Sequence, residues 1–181
     1  SARSPAPRSH RYPRYVLPRR AAALSLTGLL ALGLAACGTV QVPAGEAAAD
    51  PVCADIVLAA PPQVLGMDRV ETSSQGTAAW GSGEDTVVMR CGVTPPGPTT
   101  DQCTTLADEN EIEVDWVVKE IEGDTFLYTT YGREPAIDVS VPRSAAPDQP
   151  SAAALDLTQV ITRNIDATAR CIGPGDEGYE G

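Results

Sequence analysis

Residues 21–37, AAALSLTGLLALGLAAC, decide how much of this chain is left to fold. Arg19 and Arg20 precede an apolar stretch of about 14 residues that closes on small residues, which is the order of a secretory leader. The stretch falls short of the ~20 helical residues that a ~30 Å hydrocarbon core demands, so export is the better reading and a membrane span the weaker. The arginine pair raises twin-arginine export, but the alanines after it do not continue that motif, and the pair is read as the positive flank alone. Residues 1–36 are expected to be removed as a signal peptide.

Leu34-Ala35-Ala36-Cys37 resembles, at all four positions, the box read by bacterial lipoprotein signal peptidases. The resemblance implies a diacylglycerol thioether on Cys37 and a protein held at the outer face of the cell membrane, each buried methylene contributing about 0.8 kcal/mol. The alternative is ordinary cleavage that leaves Cys37 as a free, reactive thiol.

The leader also distorts the composition. The formal charge is -11, yet the leader holds Arg3, Arg8, Arg11, Arg14, Arg19 and Arg20 and no acid. The mature chain carries 7 basic against 24 acidic residues, a charge near -17. Such a chain repels nucleic acid and anionic headgroups. Its single histidine, His10, is likewise in the leader, so Ser-His-Asp and Cys-His catalysis and histidine-ligated metal are excluded from the mature protein.

Once Cys37 is set aside, Cys53, Cys91, Cys103 and Cys171 remain, an even number that reads as two disulfides in an exported domain. Three connectivities are possible. The favoured one clamps the loop between Cys91 and Cys103 and joins the domain ends through Cys53 and Cys171. A four-cysteine metal site is disfavoured because no CxxC pair exists; no cofactor is expected.

In chain order, 38–50 is small and aperiodic and reads as a flexible tether of roughly 20 Å reach. The domain proper is expected over 51–172. Asp50-Pro51 opens a short helix that Pro61-Pro62 ends. The runs 77–80 and 86–93 read as a hairpin about a glycine-rich turn, and the polar, proline-rich stretch to Thr105 as loop. Alternation over 112–119, 125–131 and 137–142 marks an antiparallel meander of three. After a linker at 144–152, helical spacing runs from Leu157 to Cys171, and 173–181 reads as a disordered tail. The sum is α+β: an antiparallel sheet of about five strands with an N-terminal and a C-terminal helix on one face.

Several stretches together carry a family resemblance. They are Cys53, the TAAWG of 77–81, the RCGV of 90–93 followed by Pro95-Pro96, the VDW of 114–116, the TYGRE of 130–134 and the VSVP of 139–142. Across roughly 52–157 the chain resembles an actinobacterial family of exported proteins called domain of unknown function 3515. The resemblance implies an envelope protein and brings no reaction, ligand or catalytic residue.

The candidate sites are therefore drawn from residue chemistry. Trp80, Trp116, Tyr128 and Tyr131 offer a platform for glycan or peptide, against core packing as the stronger alternative. Arg90 and Arg133, scarce cations beside strand ends, offer a carboxylate clamp, against structural pairing with an acid. The acidic run of Asp108, Glu109, Glu111, Glu113 and Asp115 does not match a calcium loop, since Ile112 stands where an oxygen ligand belongs. The expectation is a non-enzymatic, lipid-anchored binding or structural module whose partners are the membrane, through Cys37, and an envelope protein or cell-wall polymer. The alternative is a carboxylate-dependent hydrolase of wall polysaccharide.

Overall fold

The computed structural model describes residues 38–99 and 101–172. The expected signal peptide over 1–36, the expected lipidation site Cys37 and the expected tail over 173–181 lie outside the described residues. The first helix, α1 (Pro51–Ala59), forms as its signals predict: the Asp50 carboxylate accepts from Val52 N at 2.9 Å, and Pro51 occupies the first turn, where its missing N–H costs nothing. Ala60, forced extended by the proline after it, ends the helix.

The strands are β1 (Gln63–Val64), β2 (Met67–Val70), β3 (Thr77–Trp80), β4 (Val87–Val93), β5 (Gln102–Ala107), β6 (Glu113–Ile121), β7 (Thr125–Thr130) and β8 (Ala136–Pro142). They form one sheet in the order β1-β2-β3-β4-β8-β7-β6-β5, antiparallel throughout. The expected hairpin is β3–β4 and the expected meander is β6–β7–β8. The sheet has eight strands rather than about five. β1 and β2 are too short to display a period. β5 is a polar edge strand, QCTTLA, that exists because β6 offers it a full ladder from Gln102↔Val118 to Ala107↔Glu113. Pairing supplied by a neighbour overrides weak local preference there.

Register divides the sheet into two unlike faces. Ala78, Met89, Val139, Tyr128, Val118 and Gln102 lie opposite one another across six strands. One position along, Thr77, Arg90, Asp138, Thr129, Val117 and Cys103 form the parallel row on the other face. α1, α2 (Ala152–Asp156) and α3 (Thr158–Asn164) cover the first face, burying Ile56, Leu157 and Ile161 with Trp80, Met89 and Val139 in one core. No described helix is long and apolar enough to cross a membrane.

The faces also explain the disulfides, which are Cys53–Cys91 and Cys103–Cys171. The favoured pairing of Cys91 with Cys103 is wrong because Cys91, two residues beyond Met89, points into the helical core, whereas Cys103 points to the opposite face at the far edge. These four thiols are spent in the two bridges rather than on a shared metal.

Two other expectations fail. The segment 38–50 is part of the fold: Val42 and Ala48 are buried, and Ala47 N donates to Gly92 O at 2.8 Å. Gly92, at φ +80, lies where β4 shifts register, and a Cβ on it would meet Ala47 C at 2.4 Å. The absent side chain lets this segment lie flat on the strand. The final helix stops at Asn164, not near Cys171, and 165–172 runs on as a non-helical strap.

Chain entropy assigns each bridge about 4 kcal/mol, the Cys103–Cys171 loop slightly more. Cys53 and Cys91 are fully buried while Cys103 and Cys171 are half-exposed. Mild dithiol treatment of the native protein should therefore reduce Cys103–Cys171 first, so that alkylation and peptide mass spectrometry find label on Cys103 and Cys171 while Cys53 and Cys91 stay bridged.

Candidate functional site

The strap 165–172 builds the site. Thr168 donates to Gly132 O from both N (2.7 Å) and Oγ1 (3.0 Å), and Cys171 N donates to Asp115 Oδ2 at 3.0 Å. The second Asp115 oxygen accepts from Thr105 Oγ1 at 2.5 Å, so this carboxylate joins the strap to β5 and β6. Gly132, at φ +66, permits the crossing, since a Cβ there would stand 2.0 Å from Ala169 O. The disulfide Cys103–Cys171 fixes the end.

Between strap and sheet lies a cleft of about 350 Å³ lined by Glu113, Asp115, Tyr131, Arg133, Arg170 and Cys171. A recess of about 150 Å³ shares Tyr131, Arg170 and Cys171 with it. Arg133 is only 6% exposed. Its Nη1 donates to Ile165 O, but its Nε has no hydrogen-bond partner among the described residues. Burial pushes the Arg133 pKa down, and the charges of Asp115 and Asp166 oppose that. A desolvated guanidinium with an unused donor is well suited to a planar anion, because its parallel N–H groups match a carboxylate. Arg170, exposed at the mouth, supplies a second cation.

Of the residues singled out by sequence, the structure brings Arg133 and Tyr131 together here. Trp80 and Trp116 are fully buried and offer no platform: Trp80 Nε1 donates to Pro61 O at 2.9 Å, and Trp116 packs edge-on against Tyr128 at 6.3 Å between centroids. Arg90 lies apart on the open face, where its Nε donates to Asp138 Oδ1 at 3.0 Å and its Nη2 pairs with Oδ2. Arg170 is the member that sequence reasoning missed, since it fell at the end of an apparent helix; Glu113 and Asp115, which also line the cleft, were weighed only as part of the acidic run. In that run, Asp108 caps its own turn by accepting from Asn110 N and Ile112 N, and the Ile112 bond leads in holding it below the usual carboxylate range. It lines a cleft of about 540 Å³ between α1, α3 and the β5–β6 turn, together with Glu109, Asp156 and Arg163.

Burial outweighs the Arg90 contact at Asp138 and raises its pKa, so ionising this carboxyl costs folding free energy above its unfolded pKa and costs nothing below it. Arg90→Ala removes the compensating charge. We expect a loss of about 1–2 kcal/mol at pH 7, moderated by the 30% exposure of the arginine, and a smaller loss near pH 4, measured by urea unfolding. Gly132→Ala should lift the strap, with amide exchange at Thr168 and Cys171 accelerating while β4 and β8 stay protected.

The family model "Protein of unknown function (DUF3515)" matches residues 28–170. No curated protein and no solved structure matches the chain.

Proposed function

The chain belongs to that family, and on this premise we propose that it is an exported, lipid-anchored binding module of the cell envelope that takes a carboxylate-bearing partner at the Arg133–Arg170 cleft. One observation carries the reading: a largely buried guanidinium in the wall of an open cleft, with a second arginine at its mouth. A guanidinium held in a desolvated wall attracts a carboxylate more strongly than one in bulk water, and Arg170 adds a second cation to that attraction. Two disulfides accord with an oxidising compartment, and the Leu-Ala-Ala-Cys sequence at 34–37 supports lipid attachment. The hydrolase alternative gains no support from the cleft, where both Asp115 oxygens already accept protein donors.

The test is a titration with a carboxylate-bearing muropeptide and its amidated counterpart, monitored by NMR at Tyr131, the Arg133 Nε–H and Arg170. We expect shifts at all three with the acid form, and at least about tenfold weaker binding after amidation or in Arg170→Ala, the loss of one charge-assisted hydrogen bond. Binding insensitive to both changes, or no binding, refutes the cleft. In cells, Cys37→Ala should abolish metabolic lipid labelling and release the protein from the membrane fraction.

A further inference from the structure

The folded unit begins almost at the site of lipid attachment. Val40 is already fixed: its N donates to Glu71 O at 2.8 Å, Ser73 N donates to its carbonyl at 3.0 Å, and it pairs in parallel with Thr72. Val42 N then donates to Ser73 Oγ at 2.9 Å and its carbonyl accepts from the same hydroxyl. Three residue steps separate Cys37 from Val40, and a fully extended chain covers at most ~3.6 Å per step, about 11 Å in all. A lipid on Cys37 therefore holds the surface around Val40 within reach of the headgroup layer, which is itself several Å thick on each side of the hydrocarbon.

That surface carries a groove of about 470 Å³ lined by Val57 of α1, Arg69 and Val70 of β2, and Glu71, Thr72 and Gln75 beyond it. Arg69 is exposed and joins none of the ion pairs among the described residues. Leu58, next to Val57 in sequence though not part of the groove's lining, is 82% exposed, the most exposed of the large apolar side chains described. A free cation, a run of hydroxyls and amides, and an unburied leucine match the layered chemistry of a phospholipid surface, with phosphate outside and acyl chain beneath.

We propose that this face, 69–77 with the adjoining side of α1, is a bilayer-docking surface, pressed against phospholipid headgroups by the short link to the lipidated cysteine, with Arg69 on lipid phosphate. The consequence is orientation. β5 and β6, at the opposite edge of the sheet, point away from the membrane, and the Arg133–Arg170 cleft with them. The inference rests on the lipid-anchor reading and goes beyond it by naming the face that meets the membrane.

The experiment uses the lipidated protein in phosphatidylcholine nanodiscs that contain a headgroup nitroxide lipid. Intact-mass measurement first establishes whether Cys37 carries the diacylglycerol group; if it does not, the anchor reading falls, and the docking proposal with it. On the lipidated protein, amide signals of 69–77 should broaden several-fold more than those of β5. Uniform broadening, or broadening concentrated at β5, overturns the docking face while leaving the anchor intact. Inserting twenty Gly/Ser residues between Gly38 and Thr39 should reduce the difference several-fold, and an undiminished difference overturns the claim that the short link presses this face to the bilayer. Arg69→Glu should weaken broadening at 69–77 without altering lipidation; broadening equal to the unmodified protein overturns the phosphate contact.

Discussion

Everything in this fold hangs on the ladder between β4 and β8. It joins two runs of strands that are otherwise built locally: β1 to β4 succeed one another in sequence and space, and so do β5 to β8. Only at β4 and β8 do the two runs meet, through pairs such as Met89↔Val139 and Arg90↔Asp138 that lie about fifty residues apart along the chain. Closing so long a loop costs entropy before any contact compensates, so this ladder is the step that converts two meanders into one domain. The core residues along it, Met89, Cys91, Ile137 and Val139, are all fully buried. On its other side the Arg90–Asp138 pair bridges the same two strands. That pair is better read as a fixture of the seam than as a docking point.

How much the sequence announces depends on how local each signal is. The Asp50-Pro51 start, the proline stop and the β6–β7–β8 alternation are written within a few residues, and the structure keeps them. β5 and the strap 165–172 depend on partners far away. Ile161, Ile165 and Thr168 keep a helical interval, yet Ile165 leaves the helix and gives its carbonyl to Arg133, while Thr168 is held by Gly132. No count of spacings along 157–171 contains those partners. The disulfides mislead for a related reason: proximity in sequence suggested a clamp from Cys91 to Cys103, and only the parity of a sheet not yet known could separate them.

The site shows the same division. Arg133 stands out because basic residues are few, and its scarcity was a usable signal. Its unpartnered Nε is not a sequence property, since it arises from a burial that the strap creates. Arg170 gains its significance only because Cys171 is bridged to Cys103, which swings the preceding residue to the mouth of the cleft.

The two disulfides also give the molecule a covalent topology. One closes a ring over 53–91 and the other over 103–171, and the rings share no residue. A protease that cuts within either ring leaves the pieces tethered. Between the bridged cysteines, only 92–102 lets a single cut part the rings, after which they would cohere through noncovalent contacts, chief among them the β4–β8 ladder. That stretch, GVTPPGPTTDQ, holds three prolines, whose closed rings and missing N–H groups make poor substrates for most peptidases. Wherever proteases are a standing hazard, the connection that no bridge protects is the one armoured by composition.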